Sequence, residues 1–367
     1  MHLVNVRMLV CVLFLIVSRT NCYPCTNKLF VSWTGKFSRP HSSAIVYLHT
    51  TRNANLSDAP DFIAKVDRGK RHGFEAEVLS SIVDASIGTN VRPFVEGLFA
   101  IRNTKEESPL LSLSNGNGID VLNSFEASCS PNFANVQKMT VSTNVPGLSR
   151  HLKPTYLTDL ERVSYLSTAA RVTVLEMIFS AFDHRGSKNC HFDRGNKVFW
   201  SLDFDSSGFK RINMSDIKVS TLRCAELMWK VGSPFPTCQF LSYMAKSLSD
   251  IHYSILSNEL YMRMRRYNVF AQHLQPQFSN NVSQCIELFN IAMPPTNKVQ
   301  KPIPFQHVQV QPQKEHNVSC RVDVQKIWAD FLSHRVHILK KVLGNFSSTC
   351  PPSLGKDSST PLYHDMF

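Results

Sequence analysis

The chain has 367 residues, 43% of them hydrophobic, 10% aromatic and 19% charged, with a formal charge of +12. That is too apolar for intrinsic disorder, and 14 Gly and 19 Pro without a period exclude a collagen-like chain. The length suits one large bilobal domain or two ordinary ones.

Arg7 precedes an unbroken apolar run from Met8 to Val17. Spanning a bilayer takes roughly 20 residues, so this run has the length of a signal-peptide core. The expectation is a signal peptide over residues 1–22, cut after Cys22, with an uncleaved Golgi anchor as the alternative. No later segment reaches spanning length, so no stable membrane span is expected. The cut removes Cys11 and Cys22 from the 10 cysteines. The remaining eight are Cys25, Cys129, Cys190, Cys224, Cys238, Cys285, Cys320 and Cys350. An even count in an oxidising compartment predicts structural disulfides, whose pairing stays open. The one C-x-x-C spacing, Cys22 to Cys25, is split by the cut, which argues against a zinc site. Sequons at Asn55, Asn213, Asn281, Asn317 and Asn345 point to the same secretory compartment. Loss of Arg7 and Arg19 takes the +12 to +10. In that compartment a basic balance favours sulfated glycans or acidic protein surfaces, and no nucleic-acid partner is expected.

Residues 23–44 read as irregular and polar. Ala44 to Leu48 reads as a strand, and so does Phe62 to Val66, followed by a turn over Asp67 to Lys70. Residues 74–87 have helical apolar spacing at Phe74, Val78, Leu79, Ile82, Val83 and Ile87, closed by Gly88. Phe94 to Ile101 is mostly apolar and reads as a strand. Residues 103–155 are rich in Ser, Asn, Gly and Pro and read as loops with short strands. A helix is expected over 159–182, a polar stretch over 183–197, and a strand over 198–203 ending in an acid. The pattern is helical from 219 to 274, extended over the Pro- and Gln-rich 294–313, and helical again over 321–343. Strands and one helix followed by mostly helix predict an α+β chain with a bilobal, protein-kinase-like layout. The boundaries follow: an N-terminal extension and small mixed lobe over 23–102, a connecting region and larger helical lobe over 103–350, and a tail over 351–367.

Phosphoryl transfer needs a cation on the phosphates, an acid that fixes it, carboxylates on Mg²⁺ and an acid near the attacking hydroxyl. Lys65 lies inside an apolar strand, and an acidic helix follows at once. A lysine on the solvent face of a strand is the plainer reading of the same pattern. Asp183 opens the polar stretch DHRGSKN, and Asp203 and Asp205 end the strand VFWSLDFD. An Asp and an Asn from one loop, with an Asp from the next strand end, would supply hard oxygen ligands for Mg²⁺ or Mn²⁺. Loop-end acids that cap helices are the alternative.

These residues carry a family resemblance. AEVLSSIVDASIGTNVRPFVEG, residues 76–97, resembles the small-lobe helix and following strand of the secretory-pathway kinases, which include four-jointed, the Golgi-associated secretory kinases, the Golgi casein kinase and the xylosylkinase. FIAKVDRGKRH resembles the lysine strand, FDHRGSKN the F-D-R-x-x-x-N catalytic loop, and KVFWSLDFDSSGF the metal segment. SPFPTCQF resembles the P-L-x-x-x-C segment, with Cys238 at the cysteine, and HRVHILKKVLGNFSSTC the C-terminal helix. The ordered matches run from about residue 62 to residue 350. The resemblance implies ATP and Mg²⁺ or Mn²⁺ as cofactors, with Lys65 on the phosphates and Glu77 fixing Lys65. It implies Asp183 as the catalytic acid, and Asp203 with Asn189 on the metal. The implied acceptor is a hydroxyl of a secreted protein or glycan.

Three departures bear on activity. The step from Asp183 to Asn189 is six where the family has five, and Lys188 takes the fifth place. The metal segment has one extra residue, so Asp205 competes with Asp203. Glu75 lies mid-stripe on the helix and Glu77 opposite it; the family spacing to Gly88 and Pro93 selects Glu77, with Glu75 in reserve. Two further readings therefore stay open. One is a pseudokinase that binds or activates a secretory kinase. The other is a disulfide-rich secreted ligand, which predicts no cleft joining Lys65 to Asp203.

Overall fold

The structure, a computed structural model, describes residues 32–36, 45–49, 62–66, 72–101, 136–145, 157–181, 189–210, 212, 238–267, 269–270, 277–279, 283, 287, 289, 293–295, 308–312 and 318–347. The leader, the loop with Asp183 and Lys188, and the sequons other than Asn345 lie outside the described residues.

Five strands form one antiparallel sheet: β1 (Ser32–Lys36), β2 (Ile45–His49), β3 (Phe62–Val66), β4 (Val95–Ile101) and β5 (Val136–Thr143). Their order is β1-β2-β3-β5-β4. Lys65 lies in the central strand, opposite Ile45 on one side and Thr140 on the other. One strand corrects the sequence reading, and a second makes it more definite. Ser32–Lys36 was expected to be irregular, yet it pairs along its whole length with β2. Val136–Thr143 is an eight-residue strand in the stretch read as loops with short strands, and it sits between β3 and β4. Its polar residues Gln137, Lys138, Thr140, Ser142 and Thr143 weaken the apolar signal, while ladder bonds on both sides stabilise the strand.

Helix α1 (Gly73–Ile87) follows β3 and ends where expected. Gly88 adopts φ 69°, a conformation that costs other residues free energy, and its N–H bonds the Asp84 carbonyl. Of the 15 residues of α1, 13 are buried, so it is covered on nearly every side rather than being a surface helix. It packs against β4 and β5 and also against helices α2 (Asp159–Phe179) and α4 (Tyr253–Arg266). It is thus the element between the sheet and the helical body.

Helix α2 begins with a capping box. Glu161 N–H donates to Thr158 Oγ1, and Thr158 N–H donates to Glu161 Oε2 at 2.8 Å. It ends at Phe179, three residues before the expected end of its reading, with Ser180 in the left-handed region at φ 50°. Strands β6 (Cys190–Asp193) and β7 (Val198–Ser201) form a hairpin after it. β6 falls in the stretch read as merely polar. Asp193 builds its turn by accepting from the Asn196 N–H at 3.1 Å and from the Asn196 Nδ2 at 2.7 Å.

The expected helical run from 219 to 274 contains α3 (Cys238–Lys246) and α4, separated by a turn over 247–250; residues 219–237, 268 and 271–274 lie outside the described set. Strands β8 (Gln277–Ser279), β9 (Val308–Pro312) and β10 (Val318–Val322) form a second sheet, ordered β8-β10-β9. The end of the expected extended surface segment is therefore a paired strand. The last helix, α5 (Val324–Ser347), starts three residues later than expected because 318–322 is strand. Cys238 and Cys320 are each disulfide-bonded. Among the described residues, no helix is long and apolar enough to cross a membrane.

Trp328 of α5 is fully buried. It stacks on Phe270 at 5.3 Å and meets His72 and Phe209 edge-on, each at 5.3 Å. One aromatic side chain thus joins the last helix to the start of α1 and to the segment after β7. Arg335, also on α5, is buried and donates to the carbonyls of Met177, Ile178, Phe209 and Lys210 and to Ser180 Oγ. Its cation sits at the negative end of α2, where orphan carbonyls need donors.

Candidate functional site

The residues that meet at the cleft are far apart in sequence. Lys65 Nζ lies 2.7 Å from Asp203 Oδ1, 3.0 Å from Asp205 Oδ2 and 3.1 Å from Glu77 Oε1. Asp203 is 138 residues from Lys65, so only the fold brings them together. The secreted-ligand reading expects Lys65 and Asp203 apart, and the 2.7 Å contact counts against it.

Each position has a local cause. Phe204 is fully buried and packs edge-on against Phe179 at 5.6 Å. Asp203 and Asp205 flank it, and both side chains reach Lys65. The buried phenylalanine anchors the segment, which leaves β7 after Ser201 and turns at once, with the Ser207 N–H donating to the Phe204 carbonyl at 3.1 Å. Asp203 and Asp205 both meet Lys65. Asp203 Oδ1 also accepts the Asp205 N–H at 3.2 Å. Upstream, Leu202 N–H donates to the Asn189 carbonyl at 2.8 Å, which ties Asn189 to the acid segment through backbone. The structure places Asn189 beside that segment; Asp183 lies outside the described residues.

Glu77, not Glu75, reaches Lys65. Helical periodicity could not settle this, because α1 is buried around most of its circumference and both glutamates are buried. The second carboxylate oxygen of Glu77 accepts from Arg92 Nη2. Arg92 is a site residue that the reading of the sequence did not single out. Its signal was an arginine beside proline in the apolar run Val91 to Val95.

The electrostatics follow the contacts. Burial pulls the Lys65 ammonium down, but Glu77, Asp203 and Asp205 outweigh it and hold its pKa well above the ordinary lysine value. Burial pushes Asp203 up, but Lys65 holds its carboxyl well below the usual carboxylate range. Burial raises Glu77, against the pull of Arg92 and Lys65. The five groups comprise three carboxylates and two cations, leaving one negative charge in excess. Among the described residues, no group of three or more His, Cys, Asp or Glu is placed to hold a metal unaided. Asp203 and Asp205 are two adjacent carboxylates, the number that could hold Mg²⁺ alongside substrate phosphates. Lys65 keeps about a fifth of its side chain exposed.

The fold and site define an α+β chain with a lysine–carboxylate cluster. No family model matches it, and no curated protein matches it at a significant level. Among solved structures, it is similar to a crystal structure of the Golgi casein kinase, at 10% identity and a TM-score of 0.38, over 88% of this chain and 74% of that one. The Golgi casein kinase with Mn and ADP bound matches at the same identity and TM-score, over 88% of this chain and 75% of that one. Likeness at that level carries no argument, and the functional reading rests on the cleft geometry.

Proposed function

We propose that the chain has a bilobal kinase-like fold and acts as a secreted or Golgi-lumenal kinase-like protein, transferring the ATP γ-phosphate to a hydroxyl of a secreted protein or glycan. The observation that carries this reading is the lysine of a central strand, joined to a glutamate of the adjoining helix and to two aspartates from a distant segment. Such a set suits positioning and charge stabilisation, which is nearly all that phosphoryl transfer asks of a protein. In this reading Lys65 leaves the aspartates to bind phosphate oxygens, and Glu77 holds its approach direction. Asp203, with Asp205 and Asn189, holds Mg²⁺ or Mn²⁺. Asp183 orients the acceptor hydroxyl and takes its proton. The bound metal nucleotide supplies the phosphoryl group and screens its charge.

The experiment is label transfer from ATP in the presence of Mn²⁺, comparing the purified secreted protein with D203A. Transfer that is lost in D203A is expected; transfer unchanged in D203A refutes the site. The lysine at position 188 supports a second reading, since a cationic lysine cannot ligate a metal where the family carries its asparagine. In that reading the chain binds nucleotide without turnover and serves as partner to a secretory kinase. Stabilisation by metal ATP with no label transfer distinguishes it.

A further inference from the structure

Arg92 lies between α1 and β4, and its side chain is fully buried. Its backbone is set by the same helix that carries Glu77. Asp84, two turns further along α1, accepts the Arg92 N–H at 3.1 Å and the Val91 N–H at 3.1 Å. Ser201 of β7 donates its N–H to the Val91 carbonyl at 2.9 Å. The guanidinium turns back to Glu77. It donates to the Glu77 carboxylate, to the Glu77 carbonyl at 3.3 Å and to the Ser201 carbonyl at 3.2 Å. It also stacks 4.5 Å from the centroid of the Phe204 ring. The charged groups facing Glu77 are Lys65 from β3, Arg92 and Asp203.

The two cations on Glu77 differ in freedom. Lys65 is partly exposed and shared among three carboxylates. Arg92 is buried and held by a carbonyl and an aromatic ring as well as by the carboxylate. When Lys65 turns to an anion, its charge is shared between that anion and Glu77, and without Arg92 the buried Glu77 carboxylate would be only partly compensated, which is costly. We propose that Arg92 is a positioning residue, the resident counter-ion of Glu77 that frees Lys65 to engage an anionic ligand. For the identity of that ligand, the inference rests on the nucleotide reading above. The charge balance gives it a signature. Removing Arg92 raises the excess negative charge of the cluster from one to two, which repels an anion; neutralising Glu77 as well restores one.

The test uses the full chain as wild type, R92M, R92K and R92M/E77Q, with the Kd for Mn-ADP from calorimetry and the Tm without nucleotide. R92M is expected to weaken Mn-ADP binding at least about tenfold, R92M/E77Q to recover most of it, and R92K to stay within about threefold. Without nucleotide, R92M is expected to melt about 5 °C below wild type, and R92M/E77Q to regain at least half of that. A packing role would not be rescued by E77Q. Binding by R92M equal to wild type, or no recovery in R92M/E77Q, overturns the inference. If R92M does not fold, R92K decides: retained affinity supports the counter-ion role and a tenfold loss overturns it. If wild type binds no Mn-ADP, the nucleotide reading fails and the melting order alone judges Arg92, with recovery in the double variant supporting it and its absence overturning it.

Discussion

Replacing Lys65 by Met removes the cation that three carboxylates share. The contacts span 2.7 to 3.1 Å. At an effective dielectric of about 20, Coulomb's law gives roughly 5 kcal/mol for each such contact. Most of that is offset by desolvation, and breaking a buried pair from one side costs about 3–5 kcal/mol net. The partly exposed lysine and Asp203 place K65M at the low end, about 3 kcal/mol. In a chain of this size that lowers the Tm by about 5 °C. The loss depends on pH in a definite sense. The folded-state pKa of Asp203 is depressed, so its stabilisation is present above its unfolded value and fades as pH falls through the folded one. K65M removes the cause of the depression, so its deficit narrows between pH 7 and pH 4 as the carboxylates take up protons. The same unpaired acids attract a divalent cation, and Mn²⁺ is expected to raise the Tm of K65M more than that of wild type. Differential scanning across pH, with and without Mn²⁺, reads all three effects. A K65M protein within 1 °C of wild type at pH 7, or a deficit that widens on acidification, refutes the electrostatic account.

Phe204→Ala removes the anchor between the two aspartates and leaves a cavity. It is expected to cost about 3–5 kcal/mol in chemical denaturation and to abolish stabilisation by Mn-ADP, whereas Phe204→Leu keeps that stabilisation. Arg335→Met strips the α2 C-terminus of its donors and is expected to lower stability by about 3 kcal/mol, read from the urea midpoint. Gly88→Ala meets no steric obstacle, but it must hold φ near 69°; a loss of about 1–2 kcal/mol is expected in the same assay.

Several parts of this molecule were legible as pattern. The apolar spacing of 74–87 and the glycine after it locate α1 within a residue of its observed start. Lys65 on a strand before that helix is likewise read from local sequence. The rest depends on neighbours that local sequence does not contain. β1 and β5 are strands because adjacent strands complete their ladders, and their own residues carry weak signals. Glu75 and Glu77 are inseparable by periodicity when α1 is buried nearly all round. Asp203 and Asp205 looked like competitors because one insertion was weighed as a shift of register. With Phe204 buried between them, the insertion instead adds a second carboxylate to the same lysine. Arg92 was missed for a related reason, since a fully buried arginine is recognisable only once its carboxylate is in view.

The central claim is that Lys65 and Asp203 form a site for a metal-bound nucleotide, a claim shared by the active and inactive kinase readings. Calorimetric titration of Mn-ADP into the purified chain, K65M and D203N tests it most directly. Saturable binding by wild type that is lost in both variants is the predicted result. Absence of binding by wild type, or binding of equal strength in K65M and D203N, contradicts it.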